Sequence, residues 1–89
     1  PDFVAEILSP STKRRDLYTK LGKYCGAGVK EYWIVDPKNS TVKTYDMTGD
    51  DVSEWEYSFE DVIPLAIYQG EISIDMRSIK LPWEDSAQK

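Results

Sequence analysis

Two short runs, Phe3-Val4-Ala5-Glu6-Ile7-Leu8 and Tyr32-Trp33-Ile34-Val35, are apolar at odd and even positions alike, Glu6 excepted. A strand sends successive side chains to opposite faces, so such runs are expected to be strands covered on both sides. Between them, Ser9-Pro10-Ser11-Thr12 breaks the first strand: Pro10 cannot donate to a ladder, and Ser11 or Thr12 offers a helix N-cap. Leu17, Leu21, Tyr24 and Cys25 then recur at i, i+4, i+7 and i+8, one stripe of a helix over about residues 13–25. Gly26-Ala27-Gly28 supplies the exit. Strand 3–8, helix 13–25 and strand 32–35 form a βαβ unit, whose strands should be parallel and whose crossover should be right-handed.

Downstream, Asp36-Pro37-Lys38-Asn39-Ser40 is a turn cluster, and Thr41-Val42-Lys43-Thr44-Tyr45 alternates as the outer arm of a hairpin. Residues 55–59, 62–67 and 71–74 are short strand candidates, and 76–79 a single helical turn. The expected class is α/β (α+β): a mixed sheet built on the βαβ crossover, followed by a hairpin and short strands. With 89 residues the chain holds one small domain, over residues 1–83, with 84–89 as a frayed tail. Pro1 leads straight into a strand with no targeting segment before it, so the chain reads as the C-terminal part of a domain whose N-terminal part lies upstream.

The residue inventory excludes much chemistry. With no histidine and one cysteine, zinc sites of the His or Cys type, Ser-His-Asp hydrolysis and Cys-His proteolysis are ruled out. Neither GxGxxG nor GxxxxGK[ST] occurs, and no apolar run approaches the roughly 18 residues of a membrane span. Carboxylate and lysine chemistry remains. Cys25 reads as a small buried hydrophobe, which fits a reduced, cytoplasmic setting.

The net charge of −5 is unevenly spread: residues 1–30 carry six basic and three acidic groups, residues 31–89 five basic and thirteen acidic. A polyanion-facing surface therefore belongs on the helix, at Lys13, Arg14, Arg15 and Lys23, although a solvated basic face is the commoner cause of such a run. Glu6 shares a strand face with Asp2, Val4 and Leu8, where an unpaired carboxylate would cost several kcal/mol; it needs a cation, a metal or several donors. Lys20 falls beside Tyr24 at the margin of the helix stripe, so its stem can lie along the sheet and carry the ammonium toward the strand. The competing reading is an exposed Asp16–Lys20 pair at i,i+4.

The run PDFVAEILSPSTKRRDLYTKLGKYCGAGVKEYWIVDP closely resembles the Uma2 family of restriction-endonuclease-like proteins, members of the PD-(D/E)XK nuclease superfamily. The family pattern is similar to PDLVVEVLSPST, then D, K and Y on the helix, then GVxEYWIVDP. The match is strong over residues 1–37 and weaker to about Ile79. The resemblance implies that Glu6 is the acidic residue of the (D/E)XK element. Leu8 stands two positions on where lysine is usual, and Lys20 takes the lysine's role from the helix. Asp16 matches the helix aspartate, as a supporting residue. The Ile7 backbone carbonyl would join Glu6 on the metal. Asp2 forms a literal Pro-Asp pair and is a weaker ligand candidate, since the superfamily's Pro-Asp normally lies on a preceding strand.

The implied function is endonucleolytic hydrolysis of DNA phosphodiester bonds with Mg²⁺ or Mn²⁺, with this 89-residue piece inactive by itself. DNA is the implied partner, a homodimer is compatible, and no membrane is involved. Two other classes stay open: a non-catalytic protein-interaction domain keeping the fold, in line with the acidic second part, and a hydrolase of a small phosphate ester.

Overall fold

The two doubly apolar runs lie side by side. In the computed structural model, which describes residues 1–11 and 14–79 with the Arg14 side chain excepted, β1 (Phe3–Ile7) and β2 (Glu31–Asp36) pair in parallel, Glu6 opposite Ile34. Helix α1 (Arg14–Gly26) connects them. Its exit is the glycine turn: Gly28 has φ 83, a left-handed conformation that favours glycine. The Asp36 turn then folds β3 (Thr41–Asp46) back antiparallel on β2. Asp36 holds that turn itself, accepting from the Lys38 and Asn39 amides and the Asn39 side chain. β4 (Ser53–Ser58) extends the sheet, giving the order β1-β2-β3-β4. A separate two-stranded sheet, β5 (Val62–Pro64) with β6 (Ser73–Asp75), completes the described strands. Short 3-10 turns occupy Ala66–Tyr68 and Met76–Ser78.

Period-two alternation gives each sheet face its own core. Toward α1, Leu17, Tyr32, Ile34 and Tyr45 are buried together, with Val4, Leu8, Leu21, Tyr24 and Met47 packed around them. On the other face Trp33, Val35 and Val42 meet Ile63, Leu65 and Met76 of the small sheet and its flanks. β2 is enclosed on both sides, all but its last residue buried, which is what its uninterrupted apolar run requires.

Several expectations need correction. β1 is half-buried rather than covered on both sides: among the described residues it stands at the edge of the sheet, and Ile7 is 51% exposed. The small sheet covers β2 and β3, leaving Ala5 and Ile7 at the margin without a layer above them. Cys25 is exposed, not buried. The helix rests on Leu17, Leu21 and Tyr24, and one further residue turns about 100° away from that line of contact. The strand expected over 62–67 ends at Pro64, because Ile67 donates its amide to Glu31 Oε1 at 3.1 Å and the chain coils into a 3-10 turn there. Of the two N-cap candidates, Ser11 and Thr12, the second lies outside the described residues, as does the tail at 84–89. No described helix is long and apolar enough to cross a membrane.

Candidate active site

Glu6 lies mid-strand on the α1 face, where period two places it, and α1 passes over it because the Leu17-Leu21-Tyr24 stripe seats the helix on that face. Lys20 and Tyr24, one helical turn apart, both reach it. The Lys20 ammonium donates to Glu6 Oε2 at 2.9 Å, and the Tyr24 hydroxyl donates to Glu6 Oε1 at 3.1 Å. Each carboxylate oxygen thus has its own donor. The Glu6 side chain is 19% exposed and that of Lys20 46%, so the pair is open to solvent on the ammonium side. The competing Asp16–Lys20 pair is not what forms, since the ammonium turns to Glu6 and Asp16 acts on it only through a weak field.

The electrostatics follow this contact. The hydrogen bond to Glu6, reinforced by that carboxylate's charge, holds the Lys20 ammonium above its ordinary range. The same acceptor raises the Tyr24 phenol, with burial as the second cause. Behind Tyr24 lies an aromatic series: Tyr32 at 5.1 Å between ring centroids, then Tyr45 stacked at 6.0 Å from Tyr32. Burial pushes Tyr32 up to about 12, with the Glu6 charge adding to it, and among the described residues its buried hydroxyl has no hydrogen-bond partner. Burial likewise raises Tyr45, together with its hydrogen bond to Glu54.

The backbone supplies a second oxygen. Leu8 N–H donates to Val35 O, and in a parallel ladder the neighbouring residue's groups point the other way. The Ile7 carbonyl is therefore directed to the edge of β1 that no described strand occupies. The Glu6 carboxylate and Ile7 carbonyl are hard oxygen donors of the kind Mg²⁺ accepts, with water completing its shell, so this pair fits a hard divalent cation. Among the described residues no three or more Asp, Glu, Cys or His side chains converge on a metal position.

The other candidates are placed apart. Asp2 is exposed, and four residues of extended chain put it about 13 Å from Glu6. Its backbone carbonyl instead receives the amides of Lys30 and Glu31. Asp16, Arg15 and Lys23 are exposed on the helix. Lys13 and the Arg14 side chain lie outside the described residues. A cavity of about 310 Å³ on the same sheet face, lined by Tyr18, Lys43 and Glu56 among others, does not include Glu6.

Sequence reasoning missed two polar residues. Tyr24 was expected as part of the apolar stripe; its signal was its place one turn after Lys20. Glu31, 1% exposed, accepts from the Trp33 indole at 2.8 Å and the Ile67 amide at 3.1 Å. Its i,i+2 relation to Trp33 was visible, but Ile67 comes from a distant segment.

The family model described as "Uma2: Putative restriction endonuclease" matches residues 1–77. No curated protein matches the chain. Among solved structures, the chain is similar to a crystal structure described as a "putative nuclease belonging to DUF820" from Anabaena variabilis. The identity is 21% and the TM-score 0.65, over 86% of this chain and 42% of that one. At that identity the likeness establishes a shared fold, and the chain spans less than half the length of that relative.

Proposed function

The chain belongs to the Uma2 family, and from that membership we propose that it carries part of the active site of a metal-dependent endonuclease acting on DNA in a reducing, cytoplasmic setting. The observation that carries the reading is the Lys20 contact with Glu6, 2.9 Å across fourteen residues of sequence, with Tyr24 on the second oxygen. An isolated carboxylate on this face would need neutralising; this one is held by a partly exposed ammonium, as a site open to an anionic substrate requires.

Glu6 and the Ile7 carbonyl would hold Mg²⁺ or Mn²⁺. A divalent ion bound there supplies polarisation of the phosphate and a more acidic water. In the hydrolysis, water adds to phosphorus, one P–O ester bond breaks, and the leaving oxygen takes a proton. Lys20 offsets the negative charge that gathers on the phosphate and orients the attacking water. Tyr24 keeps the Glu6 carboxylate in one orientation by holding Oε1. Further ligands come from chain N-terminal to Pro1, a proposal consistent with the 42% coverage of the Anabaena variabilis protein. The 89-residue chain alone is then inactive on DNA.

The test is nicking of supercoiled plasmid with Mg²⁺ or Mn²⁺ by the longer protein, by the 89-residue chain, and by Glu6→Gln in each. The longer protein should cleave, its Glu6→Gln variant should lose about 10²-fold or more, and the short chain should do nothing. Cleavage that survives Glu6→Gln would remove Glu6 from the site. Robust cleavage by the short chain would show that upstream residues are dispensable.

A further inference from the structure

The sheet face opposite α1 carries a cavity of about 420 Å³ that plays no part in the proposed hydrolysis. Strand register builds it. Glu31 and Asp46 are paired directly across β2 and β3, and in the neighbouring row Thr44 lies between Trp33 and Trp55. Trp55 and Tyr57 of β4 form one wall, and the segment from Pro64 to Gly70 forms the other. That second wall is held in shape by left-handed Gln69 and Gly70, at φ 57 and 80, by the Gly70 amide on the Leu65 carbonyl, and by the Ile67 amide on Glu31.

The lining decides what can enter. Glu31 lies beneath the cavity with two partners that are both neutral N–H donors, the Trp33 indole and the Ile67 amide. A carboxylate has about four acceptor positions, and among the described residues two donors meet this one. Asp46 uses Oδ1 on the Thr48 amide and hydroxyl. Among the described residues neither carboxylate has a lysine or arginine within ion-pair distance. Beside them Trp55 presents an indole that is 60% exposed. Two carboxylates repel an anion. A hard metal ion would find a single accessible carboxylate among aromatic walls that offer it no ligand. An organic cation uses every part: its charge meets Asp46 and the field of Glu31 below, and its planar or alkyl portion lies on Trp55 and Tyr57.

We infer that this cavity is a binding site for an organic cation, a guanidinium or alkylammonium group, seated between Asp46 and Trp55. The inference is independent of the nuclease reading, because it lies on the other sheet face and shares no residue with Glu6, Lys20 or Tyr24. The acidic character of residues 31–89 favours such a ligand at long range.

Titration of the ¹⁵N-labelled protein with Nα-acetylated argininamide, with spermidine, with a short extended, N-acetylated peptide carrying a central arginine, and with Nα-acetylated citrullinamide, whose α-amine is blocked and which carries no charge, tests it. The three cations should give saturable shifts at the Trp55 indole N–H, Thr44 and Gln69, and citrullinamide none. Asp46→Asn and Trp55→Leu, both at positions open enough to fold, should each weaken binding about tenfold, while Glu71→Gln, an exposed carboxylate outside the cavity, should not. Tightest binding of the peptide identifies the source as a side chain of a partner polypeptide, and tightest binding of spermidine a free polyamine. Equal shifts with citrullinamide, no saturable shift with any cation, or equal weakening by Glu71→Gln would each overturn the assignment.

Discussion

Lys20 and Lys23 sit three residues apart on α1, yet only Lys20 touches Glu6, which makes Lys23 an internal control. Lys20→Met keeps the apolar stem and removes the charge. In the longer protein it should lower cleavage about 10²-fold with little change in stability, whereas Lys23→Met should alter cleavage little at fixed salt. Indistinguishable kinetics of the two variants would reduce the Glu6–Lys20 contact to a structural ion pair. Tyr32 poses a different question, because its buried hydroxyl has no partner among the described residues. Tyr32→Phe should therefore be neutral or stabilising by up to about 1 kcal/mol in urea unfolding, where removal of a bonded hydroxyl would destabilise. Its raised pKa also sets a pH limit. The folded state favours the neutral phenol, so this contribution is fully present below the ordinary value of 10.0 and is lost as pH rises through about 12. Lys20, also raised, has the same sign. Ellipticity followed against pH should show alkaline unfolding in that window, and Tyr32→Phe should move the midpoint upward.

At the scale of elements, the three-residue strand β5 matters more than its length implies. Ile63 is fully buried in the cluster shared with Trp33, Val35 and Val42, while Val62 beside it is 51% exposed. Ile63→Ala should cost about 2–5 kcal/mol of unfolding free energy and Val62→Ala within about 0.5 kcal/mol, measured by denaturant titration. Equal effects would mean that the small sheet does not close this core. Between the layers, the Phe3 ring meets Trp33 edge-on at 5.3 Å and the Trp33 indole donates to Glu31. One indole thus ties β1, β2 and the 3-10 turn at Ala66–Tyr68, whose Ile67 amide shares the same carboxylate.

The whole molecule divides its charge as the chain does: α1 carries the exposed Arg15 and Lys23, and acidic groups dominate residues 31–89. Nucleic acid, if bound, should meet the helix side. Removing one phosphate contact lowers the slope of log affinity against log salt by roughly one. Arg15→Gln and Lys23→Gln in the longer protein should each reduce that slope for a DNA duplex, and Glu54→Gln on β4 should leave it unchanged or raise affinity slightly. A slope unaffected by both basic substitutions would place any DNA contact away from α1.

Local chemistry was enough for much of this architecture. The doubly apolar runs, Pro10, the Leu17-Leu21-Tyr24 spacing, the glycine exit and the Asp36 turn each act within a few residues, and they specify β1, α1, β2 and the β2–β3 hairpin without reference to the rest of the chain. Glu6 was also legible, since a carboxylate flanked by apolar strand residues demands a partner whatever that partner is. Which groups answered it depended on tertiary structure: helix spacing placed Lys20 and Tyr24 near one another, but only the seating of α1 on β1 brought both to opposite oxygens of one carboxylate. Burial was decided in the same non-local way. Cys25 turned out to solvent, Ile7 was left at a sheet margin, and Glu31 was enclosed by a turn thirty-six residues downstream, because a residue's periodicity says which face it joins while only the packing of other elements determines whether that face is covered.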